Sequence, residues 1–176
     1  MGTDKYKITY HDLPQYQHLQ DLFHKMGLEA YLSISTDQQQ DFRQEEHTIS
    51  DAYEARGPIG GILSAMQQFP ETSWLVVACD LPLINERHLR QLIGHSTTPH
   101  QVVTYQVHRE FYETTCTLYH SSCLAILEDA LRNGKGSLQK ALQQMTVKTL
   151  VPPQATDLLN VNDQESYQRC LELLGR

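Results

Sequence analysis

The 176-residue chain has no apolar run near the eighteen or so residues that a membrane-spanning helix requires. Its opening, Met1 to Lys7, is polar and carries none of the apolar stretch of a secretory leader, so the expectation is a cytoplasmic protein. Cysteine is scarce. The four, at positions 79, 116, 123 and 170, form no C-x-x-C pair and no dense framework, and reduced thiols are expected. Basic residues are outnumbered, 14 Lys and Arg against 21 Asp and Glu. The net charge of −7 argues against nucleic acid or an anionic membrane as partner, since both need basic surface. It leaves open one small anionic substrate, held by a local basic group and a metal. With no repeat, low-complexity tract or linker, residues 1–176 read as one domain large enough for a substantial core.

What the chain does contain is concentrated between Arg56 and Asn85. Gly57-Pro58 breaks the preceding coil, and Pro58 suits a first helical position, where its missing N–H costs nothing. Ile59, Ile62, Leu63 and Met66 recur at helical spacing and give one apolar stripe. After Phe69-Pro70, the run Trp74-Leu75-Val76-Val77-Ala78-Cys79 has the continuous apolar character of a strand covered on both faces. Asp80 follows at its carboxyl end, and Pro82 prevents a central strand from continuing. Ligands of open α/β sheets gather at such ends.

The remaining elements follow the same logic. Leu19, Leu22, Phe23 and Met26 predict a helix within 13–26, stopped at Gly27. Residues 30–34 and 47–50 read as short strands. Asn85 can cap a helix over 86–93. Strands are expected at 101–105, 113–119 and 147–151. Helices are expected after Ser121 or Ser122, over 137–145, and at the C-terminus, where Tyr167, Leu171 and Leu174 share a face. This alternation gives an α/β fold with a largely parallel sheet.

Several residue types point to chemistry. Asp80, after six apolar residues, reads as a functional carboxylate that could hold Mg²⁺, which keeps most of its waters and prefers one or two carboxylates plus substrate phosphates; the alternative is an N-cap or turn aspartate. Asp51 is a second carboxylate at a strand end, or an ordinary loop residue. Gly57-Pro58-Ile59-Gly60-Gly61 opens a helix without bulky side chains, which would let a base or a phosphate approach the backbone and the positive helix end. Close helix–sheet packing would demand the same glycines. Lys5 has no role that composition alone assigns. Cys116, His120 and Cys123 lack zinc-ligand spacing, and Gly134-Lys135-Gly136-Ser137 lacks the spacing of a phosphate loop.

Together, R-G-P-I-G-G-I-L-S-A-M-Q-Q and W-L-V-V-A-C-D-L-P-L-I resemble the molybdenum cofactor guanylyltransferases, the MobA-like nucleotidyltransferases. Asn160-Val161-Asn162-Asp163 is similar to that family's N-V-N-T-P, with Asp163-Gln164 in place of T-P. Met1-Gly2-Thr3-Asp4-Lys5 resembles the second half of its signature L-A-G-G-x-S-x-R-M-G-x-D-K, and the likeness covers essentially the whole chain. The resemblance implies a Rossmann-like three-layer α/β/α sandwich and Mg²⁺-dependent transfer of GMP from GTP to the molybdopterin cofactor, with release of pyrophosphate. It implies that Lys5 contacts nucleotide phosphate, that Asp51 helps bind guanosine, and that Asp80 binds Mg²⁺ and nucleotide. Gly57 and Gly60 would lie against the nucleotide, Asn160 and Asn162 near the pterin or the metal. GTP, the molybdopterin cofactor and cofactor-delivery proteins are the implied partners.

Two departures stand out. Ser33-Ile34-Ser35 occupies the place where many members carry an asparagine. The L-A-G-G-x-S-x-R half, which in the family contributes a central strand and a triphosphate cradle, does not occur, so two neighbouring strands are expected to keep unpaired edges. The expectation is a sequence that starts at an internal methionine, with weak or no transferase activity if it is the whole protein. Other readings are a CTP- or sugar-phosphate-using relative, or a non-catalytic module that binds nucleotide or pterin.

Overall fold

A computed structural model describes every residue except 1–4, 44–46, 54–55, 98–99, 109–110 and 135. In chain order it contains α1 (Gln15–Lys25), β1 (Leu32–Ile34), β2 (Thr48–Ser50), α2 (Pro58–Gln68), β3 (Trp74–Val77) and α3 (Glu86–Gly94). Then follow β4 (Val102–His108), β5 (Phe111–Tyr119), α4 (Leu124–Arg132), α5 (Leu138–Leu142), β6 (Val147–Leu150) and α6 (Gln164–Leu173). Local signals placed most of these. Pro58 begins α2, and Asn85 caps α3 by accepting from the Arg87 N–H. Gly27 ends the first helical region with φ +74°. The helix expected over 137–145 stops earlier, at Leu142, while Met145 packs against the core.

The four-stranded sheet has the order β3-β5-β4-β6, and β1 and β2 form a separate parallel pair. The α/β class is as expected, but the larger sheet is mixed: β5 runs antiparallel to β3 and β4, and only β4 and β6 are parallel. The cause is chain length. Two residues separate β4 from β5, whereas a parallel return needs a crossover of a dozen or more.

Helices cover both faces. Trp74, Val76, Val102 and Tyr119 pack against α2, α4 and α5, with Ile59, Leu63 and Leu142 fully buried. The alternate residues Leu75, Val77, Val103 and Leu118 face α3, Leu158, Leu22 and Phe23 of α1, and Met26 just after it. Each fully buried aliphatic side chain here contributes about 1.5–3 kcal/mol. On this second face, buried His88 of α3 stands 3.0 Å from Asp157.

Between β1 and β3 lies a slot of about 350 Å³, lined by Leu19, Phe23, Ile34, Ile62, Leu75 and Val77 among others. Tyr31, just before β1, and Trp74, at the start of β3, close one end, their ring centroids 5.6 Å apart. The Ala78 N–H donates to the Thr115 carbonyl. Antiparallel alternation therefore turns the N–H and C=O of Leu75 and Val77 away from β5 and toward the slot. On the other side, Leu32 and Ile34 bond toward β2, which leaves the Ser33 backbone facing the slot. Among the described residues, no strand lies between these two edges.

Candidate functional site

Asp80 follows β3 as the sequence indicated. What gathers around it comes from both ends of the chain. The Val161 N–H donates to the Asp80 carbonyl at 2.8 Å, which pins the Asn-Val-Asn segment beside Cys-Asp-Leu-Pro. Val161 is fully buried with Tyr10 and Cys170. The N-terminal segment is tied down separately. Tyr6 and Lys7 both reach Asp41 at 2.6 Å, Tyr6 packs on Phe42, and the His11 imidazole bonds the Pro82 carbonyl at 3.0 Å. Lys5 is thereby carried to Asp80: its Nζ is 3.2 Å from Asp80 Oδ2 and also bonds Asn162 Oδ1. With Lys5 nearly half exposed and Asp80 one-fifth exposed, the ion pair itself is worth about 0–1 kcal/mol. Its importance is positional.

Asn160 completes this group. One end of its amide is 3.2 Å from both Asp80 carboxylate oxygens; the other is 3.4 Å from Glu113 Oε2. Glu113 was not foreseen. It is buried beside a register shift between β4 and β5, the kind of irregularity that re-aims a side chain. The Thr104 hydroxyl donates to its carbonyl at 2.7 Å, and Thr117 donates there too. The only hint in the sequence was one acidic residue inside Phe-Tyr-Glu-Thr-Thr-Cys-Thr-Leu-Tyr.

Asp51, Gly57 and Gly60 form a second group at the amino end of α2. Asp51 Oδ1 accepts from the Tyr53 N–H at 2.7 Å. A Cβ placed on Gly60 would stand 2.7 and 2.8 Å from the Asp51 oxygens, so the carboxylate lies directly on the helix backbone. Gly57 has φ +67°, a conformation L side chains rarely adopt. Ser64 bonds the Ala52 N–H and the Gly60 carbonyl, locking the turn to the helix. Gly61 leaves room for the Ser33 hydroxyl. Asp51 and Gly57 border the slot together with Cys79, whereas Asp80, Lys5, Asn160 and Asn162 sit beyond it at the end of β3. Burial pushes the Cys79 thiol up to about 11.

Among the described residues, no three His, Cys, Asp or Glu side chains gather as a metal cage. A cation at Asp80 would rest on one carboxylate, an amide oxygen and groups brought by a ligand. That donor set fits Mg²⁺, which is usually held by one or two carboxylates plus phosphates. The part of the opening signature in residues 1–4 lies outside the described residues.

Molybdopterin-guanine dinucleotide biosynthesis protein A from Archaeoglobus fulgidus superimposes with a TM-score of 0.78 at 17% identity, over 99% of this chain and 92% of that one. The 4-diphosphocytidyl-2C-methyl-D-erythritol synthase of Anaerococcus prevotii gives 0.70 at 10% identity, over 97% and 93%. The MobA-like NTP transferase domain matches residues 1–149, and the chain belongs to that family. It is 32% identical over 169 residues to a molybdenum cofactor biosynthesis bifunctional protein of Synechocystis, covering 95% of this chain and 49% of that protein. A molybdenum cofactor guanylyltransferase of Pseudomonas entomophila is 25% identical over 80% of this chain and 74% of its own length. The chain spans about half the length of the first of these relatives.

Proposed function

We propose that the chain transfers GMP from GTP to the molybdopterin cofactor. A phosphate oxygen of the cofactor attacks the α-phosphorus of GTP, the bond between the α-phosphorus and the bridging oxygen breaks, and pyrophosphate leaves. No protein nucleophile is required; positioning and charge neutralisation carry such a reaction. The observation that supports the reading most directly is the convergence of Lys5, Asp80, Asn160 and Asn162 at the end of β3.

In this reading Asp80, with the Asn160 amide oxygen, would hold Mg²⁺, which supplies Lewis-acid polarisation of phosphate oxygens when bound. Lys5 exchanges its contact with Asp80 for nucleotide phosphate. Asp51, fixed on the backbone of α2 beside Gly57 and Gly60, accepts hydrogen bonds from the guanosine. Asn162, the partner of Lys5 in the free protein, faces the incoming cofactor phosphate.

A second reading has one observation in its favour. Among the described residues, the slot between β1 and β3 leaves the Asp51 group and the Asp80 group without a continuous sheet between them. It favours a module that binds nucleotide but turns it over weakly. Two measurements separate the readings: Mg²⁺-dependent calorimetry with GTP, CTP and ATP, and GTP-dependent pyrophosphate release with molybdopterin. The transfer reading expects GTP selectivity, pyrophosphate release, and loss of both in Asp80→Ala. GTP binding without release supports the module; tighter binding of CTP refutes the choice of nucleotide.

A further inference from the structure

The Asn160 amide bridges two carboxylates, Asp80 at 3.2 Å and Glu113 at 3.4 Å. A carboxamide has one donating and one accepting end, so it can donate to only one of them and must turn its oxygen on the other. The two carboxylates differ in their alternatives. Glu113 is 7% exposed; its Oε1 accepts from the N–H and the hydroxyl of Thr115 at 2.9 and 2.7 Å, and its Oε2 has Asn160. Asp80 is more exposed and has the Lys5 ammonium at 3.2 Å. With no cation present the amide N–H rests on Asp80, 3.2 Å from both carboxylate oxygens. A cation at Asp80 requires the amide to turn its oxygen there, and Glu113 Oε2, 3.4 Å away, is then the acceptor that takes the N–H.

We infer that Glu113 is a positioning residue: it takes the Asn160 N–H when the amide turns its oxygen to a cation, and so sets the affinity of the Asp80 site for a divalent cation. The inference rests on the reading of Asp80 as a cation ligand. In Glu113→Gln the shape is kept but the polarity of the contact reverses. With the Gln oxygen retained by Thr115, its amide donates to Asn160 Oδ1. The Asn160 N–H then stays on Asp80, where it competes with the cation.

The test is Mn²⁺ binding, measured by electron paramagnetic resonance on the full chain without nucleotide. Glu113→Gln should weaken Mn²⁺ about tenfold, the lower end of what loss of an outer-shell partner does at metal sites. The same substitution in an Asn160→Ala background should change affinity less than twofold. A general charge effect or a loosened fold would weaken both backgrounds equally, and that result overturns the proposal. So does Glu113→Gln binding within twofold of the parent. A readout independent of that variant is the Asn160 side-chain NH₂ resonance, which should shift as Mg²⁺ saturates the parent protein; an unmoved resonance at saturation also overturns it. Asp80→Ala is the control for the underlying reading. If it leaves Mn²⁺ affinity unchanged, the cation role of Asp80 fails and the proposal with it. If it abolishes binding while Glu113→Gln has no effect, the Glu113 role alone fails.

Discussion

A methyl group on Gly60 would stand 2.7 and 2.8 Å from the two Asp51 carboxylate oxygens and 3.0 Å from the Tyr53 carbonyl oxygen. The last of these is backbone and cannot step aside. Gly60→Ala therefore displaces either the Asp51 side chain or the turn from Asp51 to Tyr53. Overpacking of this kind costs about 1–3 kcal/mol. Loss of the bond from the Tyr53 N–H to the ionised carboxylate, 2.7 Å in the native protein, belongs in the range of about 1.5–3 kcal/mol. Against these stands the helix preference of Ala over Gly, about 1 kcal/mol. The net expectation is a destabilisation of about 1–2 kcal/mol, below the sum of the two costs because relief of the clash breaks the bond. Gly94, at the end of α3, supplies the control: it has no atom within 4 Å of an added Cβ and no positive φ. Gly94→Ala should be neutral or stabilising by up to about 1 kcal/mol. Urea unfolding of the two variants should separate them by roughly 2 kcal/mol, and GTP affinity should fall only in Gly60→Ala. A Gly60→Ala protein as stable as Gly94→Ala, with unchanged nucleotide affinity, would show that Asp51 is not held against the α2 backbone.

Further outcomes follow from other contacts. Asp157→Ala removes the carboxylate that stands 3.0 Å from buried His88 Nε2 without hydrogen-bond alignment, and should cost about 0.5–1.5 kcal/mol in urea unfolding; an unchanged midpoint counts against that pairing. Burial, and then the His11 ring stacked 3.7 Å away, lower the His18 pKa from 6.5 to about 4. The unfolded chain therefore binds the proton first, so the His18 contribution to stability is complete above pH 6.5 and is lost as pH falls toward 4. His18→Gln should flatten the stability profile in that window, and an unaltered slope would refute the assignment. Burial also raises the pKa of all four thiols, Cys79 to about 11 and Cys123 to about 12. At pH 8 Ellman's reagent should react slowly with the native protein and with four thiols after unfolding; one fast native thiol would contradict this.

The parts of the fold that local chemistry decides were legible in the sequence. Pro58 marked the start of α2, Asn85 the cap of α3, and the apolar run before Asp80 the strand β3, which ends earlier than expected, at Val77. The sheet order was not legible. The reversal of β5 on β4 was implicit in the spacing, since residues 106–112 between the two expected strands are too few for a parallel return, but nothing local announced that β3 pairs with β5 or β6 with β4. Pairing across a sheet is settled by long-range packing, which residue periodicity does not encode. The site divides the same way. Asp80, Lys5 and the paired asparagines stood out through motif likeness, and the structure brings them into one cluster. Asp51 and the glycines of α2 form a group apart, bordering the slot. Glu113 becomes noticeable only after the register shift turns it inward, a three-dimensional event with no one-letter signature.

The slot between β1 and β3 also implies a clock. Backbone N–H groups on β3 alternate between the Thr115 side of the ladder and open space, so neighbouring amides on one short strand should exchange with solvent deuterium on different timescales. Ala78 and Val76, bonded across to β5, belong among the slow ones. Leu75 and Val77 belong with the fast, and Ser33 on the facing edge with them. A saw-tooth of protection along four consecutive residues would be the kinetic signature of a sheet divided in two.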